Sequence, residues 1–373
     1  MKERDALIQR DIVAEDLLSL SQRLDTVFAQ LSGDNLLITG GAGFLGYYLV
    51  QAPLAWNAQN PDRAPINVSV HDNFLRGMPE WLSALKDDNL RIVTRSVLDP
   101  MPEDEPRFDW IIHAASVASP IFYRLHPIET MDANVDGLRL LLNHMKDRAD
   151  TKTPVKGFAF FSTSEIYGDP DPAFIPTPET YRGSVSCTGP RACYDESKRY
   201  GETLCVNFAR QFNLPIGIIR PFNNYGPGLR IDDGRVLPDF SRDVLNNRDI
   251  VMLSDGAATR TFCYVADAVT GYYLILGHSS THPGESFNVG TDAPEISMRE
   301  LADRVSAKGA ELFDYSGSVV VKSSDDPEYL TDNPDRRCPD LAKSRSLLGY
   351  NPEVGIDDGL ERALTWYYQQ DQR

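Results

Sequence analysis

Residues 36-LLITGGAGFLGYYLV-50 pass from an apolar strand through Gly40, Gly43 and Gly46 into a second apolar stretch. A glycine at every third position, with a strand before and a helix after, lets backbone approach a pyrophosphate at a helix N-terminus. Phe44 and Leu45 lie inside that turn. A glycine triplet alone is a weak signal. The next apolar run, 66-INVSVHD-72, ends in Asp72 and Asn73, where an acid accepts adenosine ribose hydroxyls. An acid there repels a 2′-phosphate, so the expected cofactor is NAD rather than NADP. The strand ending in 113-HAAS-116 supplies Ala114, Ala115 and Ser116, small enough for the nicotinamide half to cross the sheet edge; His113 is given no chemical role.

Around this turn, short apolar runs alternate with helical ones. Strands are expected at 35–40, 66–72, 90–96, 108–114, 157–162 and 215–221, with helices seeded at 45–51, 127–147 and 193–212. Strands this apolar, separated by helices, indicate a Rossmann-type, doubly wound parallel α/β sheet covered on both faces. The domain reading is an N-terminal amphipathic helical extension over 1–33, an NAD-binding domain over 34–221, and a smaller substrate-binding lobe over 222–373. That lobe is partly discontinuous, with segments of 255–280 expected to return to the main sheet. In the extension, Val13, Leu17, Leu20, Leu24, Val27 and Leu31 form one apolar stripe. The stripe fits either docking on the same subunit or a seam to another.

The chain has 373 residues and a net charge of −17, which argues against a nucleic-acid surface. A local arginine cluster can still serve an anionic small substrate. The five cysteines make no C-x-x-C pair and are expected to be free thiols in a reducing compartment. The six histidines show no ligand spacing, so no metal is expected. Without an 18-residue apolar run or a signal-like start, the expectation is a soluble cytoplasmic protein with no membrane partner.

Polar chemistry concentrates at 162-STSEIYG-168, just after the apolar 157-GFAFF-161, and at 190-PRACYDESKRYGE-202. Tyr194 and Lys198 are four apart on one helical face. A phenol is a poor base at neutral pH, and a lysine cation together with a positive nicotinamide ring is expected to lower its pKa. Tyr194 would then take a proton from a substrate hydroxyl while hydride leaves the same carbon, and Thr163 would hold that hydroxyl in line. Asn134 is a candidate to orient Lys198 or to touch substrate, or simply a helix-packing residue.

Gly40–Gly46, Asp72, 113-HAAS-116, Asn134, Thr163, Tyr194, Lys198 and 220-RPFNNYGP-227 together resemble the extended short-chain dehydrogenase/reductases that remodel nucleotide sugars. The resemblance covers the chain after residue 33. STSEIYGDP and GPRACYDESKR are most similar to the UDP-glucuronate decarboxylase (UDP-xylose synthase) family, and 232-DDGRV-236, 259-TRTFCYVAD-267, 325-DDP-327 and 337-RCPDL-341 continue the match. The resemblance implies that C4 of the sugar is oxidised and that the resulting β-keto acid loses CO₂. C5 is then protonated from Glu165 or a water it holds, and C4 is reduced again. Glu165 could instead merely position the ring. Related 4,6-dehydratases place an Asp where this chain has Ser164, and a serine is no strong acid at neutral pH. The alternatives are a 4-epimerase or 4,6-dehydratase on another nucleotide sugar, or a non-catalytic NAD-binding regulator.

The resemblance also assigns Ser96 and Val97 to the cofactor's adenine end, and Tyr123, Ser164, Asn223, Arg235, Arg260 and Arg337 to the nucleotide sugar. Guanidinium forks suit phosphate and carboxylate oxygens. The chain departs from the family where 226-GPGLR-230 replaces G-P-R, where Ser96-Val97 replaces an Asp, in the loop 119-SPIFYRLHP-127, and at 328-EYLTDNPDR-336. The family's habit implies a homodimer built from helices such as 127–147 and 193–212, to which the N-terminal helix could add a contact.

Overall fold

The computed structural model describes residues 7–102, 105–324 and 331–372; the 325-DDP-327 motif lies outside them. Seven parallel strands form the central sheet: β1 (Asn35–Thr39), β2 (Asn67–Asp72), β3 (Leu90–Thr94), β4 (Trp110–His113), β5 (Gly157–Phe161), β6 (Ile216–Pro221) and β7 (Glu285–Val289). Their order is β7-β6-β5-β4-β1-β2-β3. The order reverses between β1 and β4, opening a crevice beyond the strand ends at that point. β1, β4, β5 and β6 are almost wholly buried, as expected of a sheet with helices on both faces.

The six expected strands are present, one or two residues shorter at their ends. The seventh, β7, pairs with β6 from Glu285↔Gly217 to Val289↔Pro221. It lies beyond the 255–280 stretch expected to return. Within that stretch a helix, Val265–Gly277, packs against β5 and β6. The helical run 127–147 is interrupted by a π-helical turn, Ala133–Gly137.

The N-terminal segment is two helices, α1 (Ile12–Arg23) and α2 (Asp25–Leu31), with Leu20, Leu24, Val27, Phe28 and Leu31 fully or nearly fully buried in the main core. Asp16 is the polar anchor. Its Oδ2 accepts from Tyr48 Oη at 2.5 Å and Tyr264 Oη at 2.6 Å, and its Oδ1 accepts from Arg362 at 3.0 Å. Arg23 reaches Asp267 at 2.6 Å. The stripe is thus docked on the body of its own chain. Among the described residues no helix is long and apolar enough to cross a membrane.

Candidate active site

A cavity of about 1590 Å³ fills the crevice, larger than a single small-molecule pocket and roomy enough for a dinucleotide and a second ligand. Its wall includes every residue expected to touch cofactor: Gly40, Gly43, Phe44, Leu45, Gly46, Asp72, Asn73, Ser96, Val97, Ala114, Ala115, Ser116, Tyr194 and Lys198. The helix α3 (Gly46–Gln59) starts in this wall with no side chain capping it. Tyr47 N turns back to Phe44 O at 3.2 Å, and no side chain competes with an anion for the other N–H groups of this helix start. A Cβ on Gly46 would lie 2.1 Å from Gly41 O, so only glycine lets the helix start approach the turn after β1. Asp72 is held by Ala42 N at 3.0 Å and Phe74 N at 2.8 Å, which fixes its carboxylate and leaves lone pairs for ribose hydroxyls. Ser116 Oγ is buried in the same wall without a partner, as a polar group awaiting a ligand would be. Donors at the helix start, an acid at the second strand and an orphaned hydroxyl fit a dinucleotide.

Thr163, Ser164, Glu165, Tyr194 and Lys198 meet at the sheet end. Thr163 sits just past β5, where its hydroxyl accepts from Glu165 N at 3.2 Å and lies near enough to Tyr194 to favour the phenolate. Tyr194 and Lys198 project from α5 (Ala192–Phe212), counting α4 as Leu138–Arg148. Lys198 Nζ donates to Phe161 O at 2.7 Å and lies 5.8 Å from the centre of the Tyr194 ring. Lys198 by itself does not lower the phenol pKa. Burial pushes Tyr194 up to about 12 and Lys198 down to about 7, so each favours its neutral form. Desolvation outweighs the lysine, which is itself too deeply buried to keep its charge firmly. The Tyr123 ring stacks on Tyr194 at 5.1 Å, and its hydroxyl is buried without a partner.

Glu165 is the electrostatic centre. Arg337 grips both its oxygens, Nη2 to Oε2 at 2.6 Å, and Arg191 donates to Oε2 as well. Burial alone would raise this carboxyl, but Arg337 and Arg191 hold it down at about 2. A carboxylate so held is no proton donor at neutral pH while the clamp is closed. Arg260 lies beside Arg337 because Thr259–Arg260 and Arg336–Arg337 pair as parallel strands. Its guanidinium is capped by the carbonyls of Thr259 and Asp335, and burial lowers it to about 10.

Asn223 and Arg235 also line the cavity. Arg235 Nε is 2.9 Å from the buried Asp233, which Arg76 reaches at 3.1 Å from the other side. Arg230 pairs with Asp232 at 2.8 Å. Gly228, at the position where the family motif carries arginine, has φ +90°, and a Cβ there would lie 2.5 Å from Tyr47 Cβ. Asn134 is the one expected site residue outside the cavity wall. It is fully buried, with Nδ2 donating to Ser197 at 2.9 Å, because the π-helical turn aims it into the seam with α5. Sequence reasoning gave Arg191, Asp195 and Arg76 no role. Arg191 and Asp195 lay within the quoted GPRACYDESKR segment, so the signal was an arginine and an acid flanking the tyrosine.

His113 is buried, bonded through Nδ1 to Thr39 at 2.8 Å, and lowered to about 3 by burial and then by Lys198, which suits a neutral packing residue.

The model of the NAD dependent epimerase/dehydratase family matches residues 36–290. UDP-glucuronic acid decarboxylase 3 of Arabidopsis thaliana is 37% identical over 326 residues, 87% of this chain and 86% of its own. UDP-glucuronic acid decarboxylase 5 of the same plant is 36% identical, over 88% of each chain. Among solved structures, a dTDP-glucose 4,6-dehydratase from Streptomyces venezuelae with NAD bound superposes with a TM-score of 0.75 at 26% identity, over 91% of this chain and 98% of its own.

Proposed function

The chain belongs to the NAD dependent epimerase/dehydratase family, and on that premise we propose that it is a decarboxylase converting UDP-glucuronate to UDP-xylose. The observation that carries the reading is the clamp of Arg337 and Arg191 on Glu165, directly beside Ser164. A cationic pair at the sugar end suits a sugar bearing its own carboxylate. A serine at that place supplies no acid for expelling water. The names of the relatives agree with this reading.

What NAD supplies when bound along the β1–β4 wall is reversible acceptance of hydride from C4 of the sugar. Thr163 and Tyr194 hold the C4 hydroxyl between them, and Tyr194 takes its proton. Lys198, anchored to Phe161 O, has further N–H for the cofactor's ribose, and its cation, together with the positive nicotinamide ring, would favour the phenolate that Tyr194 needs in order to act as base. Once C4 is a ketone, the carboxylate on C5 leaves as CO₂ and its electrons pass into the carbonyl. Glu165 or a water it holds returns a proton to C5, which requires the arginine clamp to loosen. Arg235, Arg260 and Asn223, all in the cavity wall, would hold the diphosphate or line the sugar pocket.

A homodimer belongs to this reading. Leu125, Ile128 and Met131 are 67%, 63% and 42% exposed on consecutive helical segments, and Tyr200 of the adjacent α5 is 46% exposed. This much apolar surface on neighbouring helices supports a helix-to-helix contact with a second copy. The five unpaired thiols support a reducing, cytoplasmic location.

Incubating the purified protein with UDP-glucuronate and NAD tests the assignment. Release of CO₂ with a UDP-pentose product supports it. A mass-neutral product would replace it with epimerisation, and loss of water with dehydration.

A further inference from the structure

Asp195 follows Tyr194 in the first turn of α5, is 5% exposed and does not line the cavity. Its Oδ2 lies 3.6 Å from Arg191 Nε, too long for a hydrogen bond. Its other oxygen, Oδ1, and that same Arg191 Nε are both buried without partners. An unpartnered guanidinium N–H and the acid thus lie 3.6 Å apart in the interior, in electrostatic contact but short of a well-made hydrogen bond, and leaving each under-satisfied costs free energy. Arg191 meanwhile gives its Nη2 to Glu165. One guanidinium serves two acids, holding Glu165 closely and Asp195 loosely. A movement of about 0.7 Å toward Asp195 would bring Nε within hydrogen-bond distance and shift the guanidinium's weight from one acid toward the other.

We propose that Asp195 is a positioning residue that competes with Glu165 for Arg191, and that by drawing the guanidinium away it leaves Glu165 on Arg337 alone, loosening the clamp that hinders proton exchange at the sugar end of the cavity. The proposal rests on the decarboxylase reading, because only a step after C4 oxidation needs that proton. The groups around Asp195 fit the role. Arg191 and Arg337 favour its anion, whereas Glu165 favours its acid form. Tyr123, Cys193 and Tyr194 also feel its charge. The helical segment 127–137 packed on α5 carries the acids Glu129, Asp132 and Asp136, of which Glu129 and Asp136 are exposed to solvent. Burial first and Glu165 second raise Asp195 to about 7, so its charge, and with it the pull on Arg191, changes across the neutral range. Above that value Asp195 is anionic and claims Arg191; below it Glu165 keeps both arginines.

The experiment uses the full-length, NAD-loaded protein and the variants Asp195→Asn, Asp195→Glu and Arg191→Gln. Carboxyl-carbon NMR titration should show one resonance, missing from Asp195→Asn, that titrates near neutrality and moves upward by about one pH unit or more in Arg191→Gln. With UDP-glucuronate, Asp195→Asn should lower kcat about tenfold and leave KM within about twofold. Reduced nicotinamide should build up during turnover, the neutral limb of the pH profile should vanish, and Asp195→Glu should restore both. A folded Asp195→Asn with unchanged kcat and pH profile overturns the proposal, as does the absence of a neutral-range titration that this variant removes. Should the wild-type protein release no CO₂, the decarboxylase reading fails by itself. The titration then still decides whether Asp195 and Arg191 are coupled.

Discussion

Arg337 holds both oxygens of Glu165 although 172 positions separate the two residues in the chain. The fork matters as much as the charge, because two parallel N–H bonds fix the carboxylate in the plane of the guanidinium. Arg337→Lys retains the charge and loses the fork. Its kcat/KM for UDP-glucuronate should fall about 100-fold, corresponding to about 2.7 kcal/mol of transition-state stabilisation. The Glu165 carboxyl should move up toward the ordinary carboxylate range. Steady-state kinetics across acid pH checks both, and a mutant with wild-type kcat/KM would remove Arg337 from the site.

Glu165→Gln should slow the steps after C4 oxidation, so that reduced nicotinamide accumulates. It should also destabilise the fold by about 3–5 kcal/mol, because Arg337 and Arg191 lose their shared counter-charge in a largely buried place. Denaturant unfolding monitored with the NAD site empty and filled separates the two effects. Equal stability to wild type would show that the clamp is energetically neutral.

Acid should act through the same carboxylate. Its folded value, about 2, lies below the ordinary one, 4.5. The stability it contributes is therefore fully present above about pH 4.5 and is lost as pH falls toward 2. Across that window wild-type stability should decline more steeply than that of Glu165→Gln, which has no proton to take up. Parallel melting temperatures from pH 5 down to pH 3 would contradict the clamp.

Tyr194→Phe removes the hydroxyl proposed to take the C4 proton, and turnover should drop about 10²–10⁴-fold while NAD stays bound. The stacked Tyr123 ring and the buried helix face should keep the variant folded. Fluorescence of bound nucleotide and product formation give the two readouts, and wild-type turnover would exclude the phenol as the base.

Ile128→Asp, placed on the exposed 125–131 surface, should convert the proposed dimer to monomer in sedimentation, since a charge buried at a helix contact costs more than the contact returns. Unchanged sedimentation would place any dimer contact elsewhere.

Much of this arrangement could be read before any coordinates. The glycine turn, Asp72 and the six strands were legible because buried parallel strands write continuous apolar runs and the turn tolerates little but glycine. β7 was not. In 285-ESFNV-289 only Phe287 and Val289 are large apolar residues, and the strand owes its place to β6 rather than to its own pattern. Thr163, Tyr194 and Lys198 were visible as a set through spacing and context. The clamp on Glu165 was not, because it joins the ends of three segments whose meeting depends on the whole fold. The neutral leanings of Tyr194 and Lys198 were missed for a related reason: a sequence shows which charges are neighbours, and only packing shows how much water they lose.

Gly228 sets an order on future change. Its left-handed backbone and the Tyr47 side chain beside it leave no room for an arginine at that point of the cavity. A protein engineer who wished to graft the missing cation would have to alter Tyr47 and rebuild the 226–230 turn before the arginine could be accepted. Each of those first steps alone disturbs a packed position and gains nothing in phosphate contact. An arginine at this point is thus separated from the present turn by a valley rather than by a single step, and variants selected for tighter phosphate binding should acquire their new charge somewhere else along the wall.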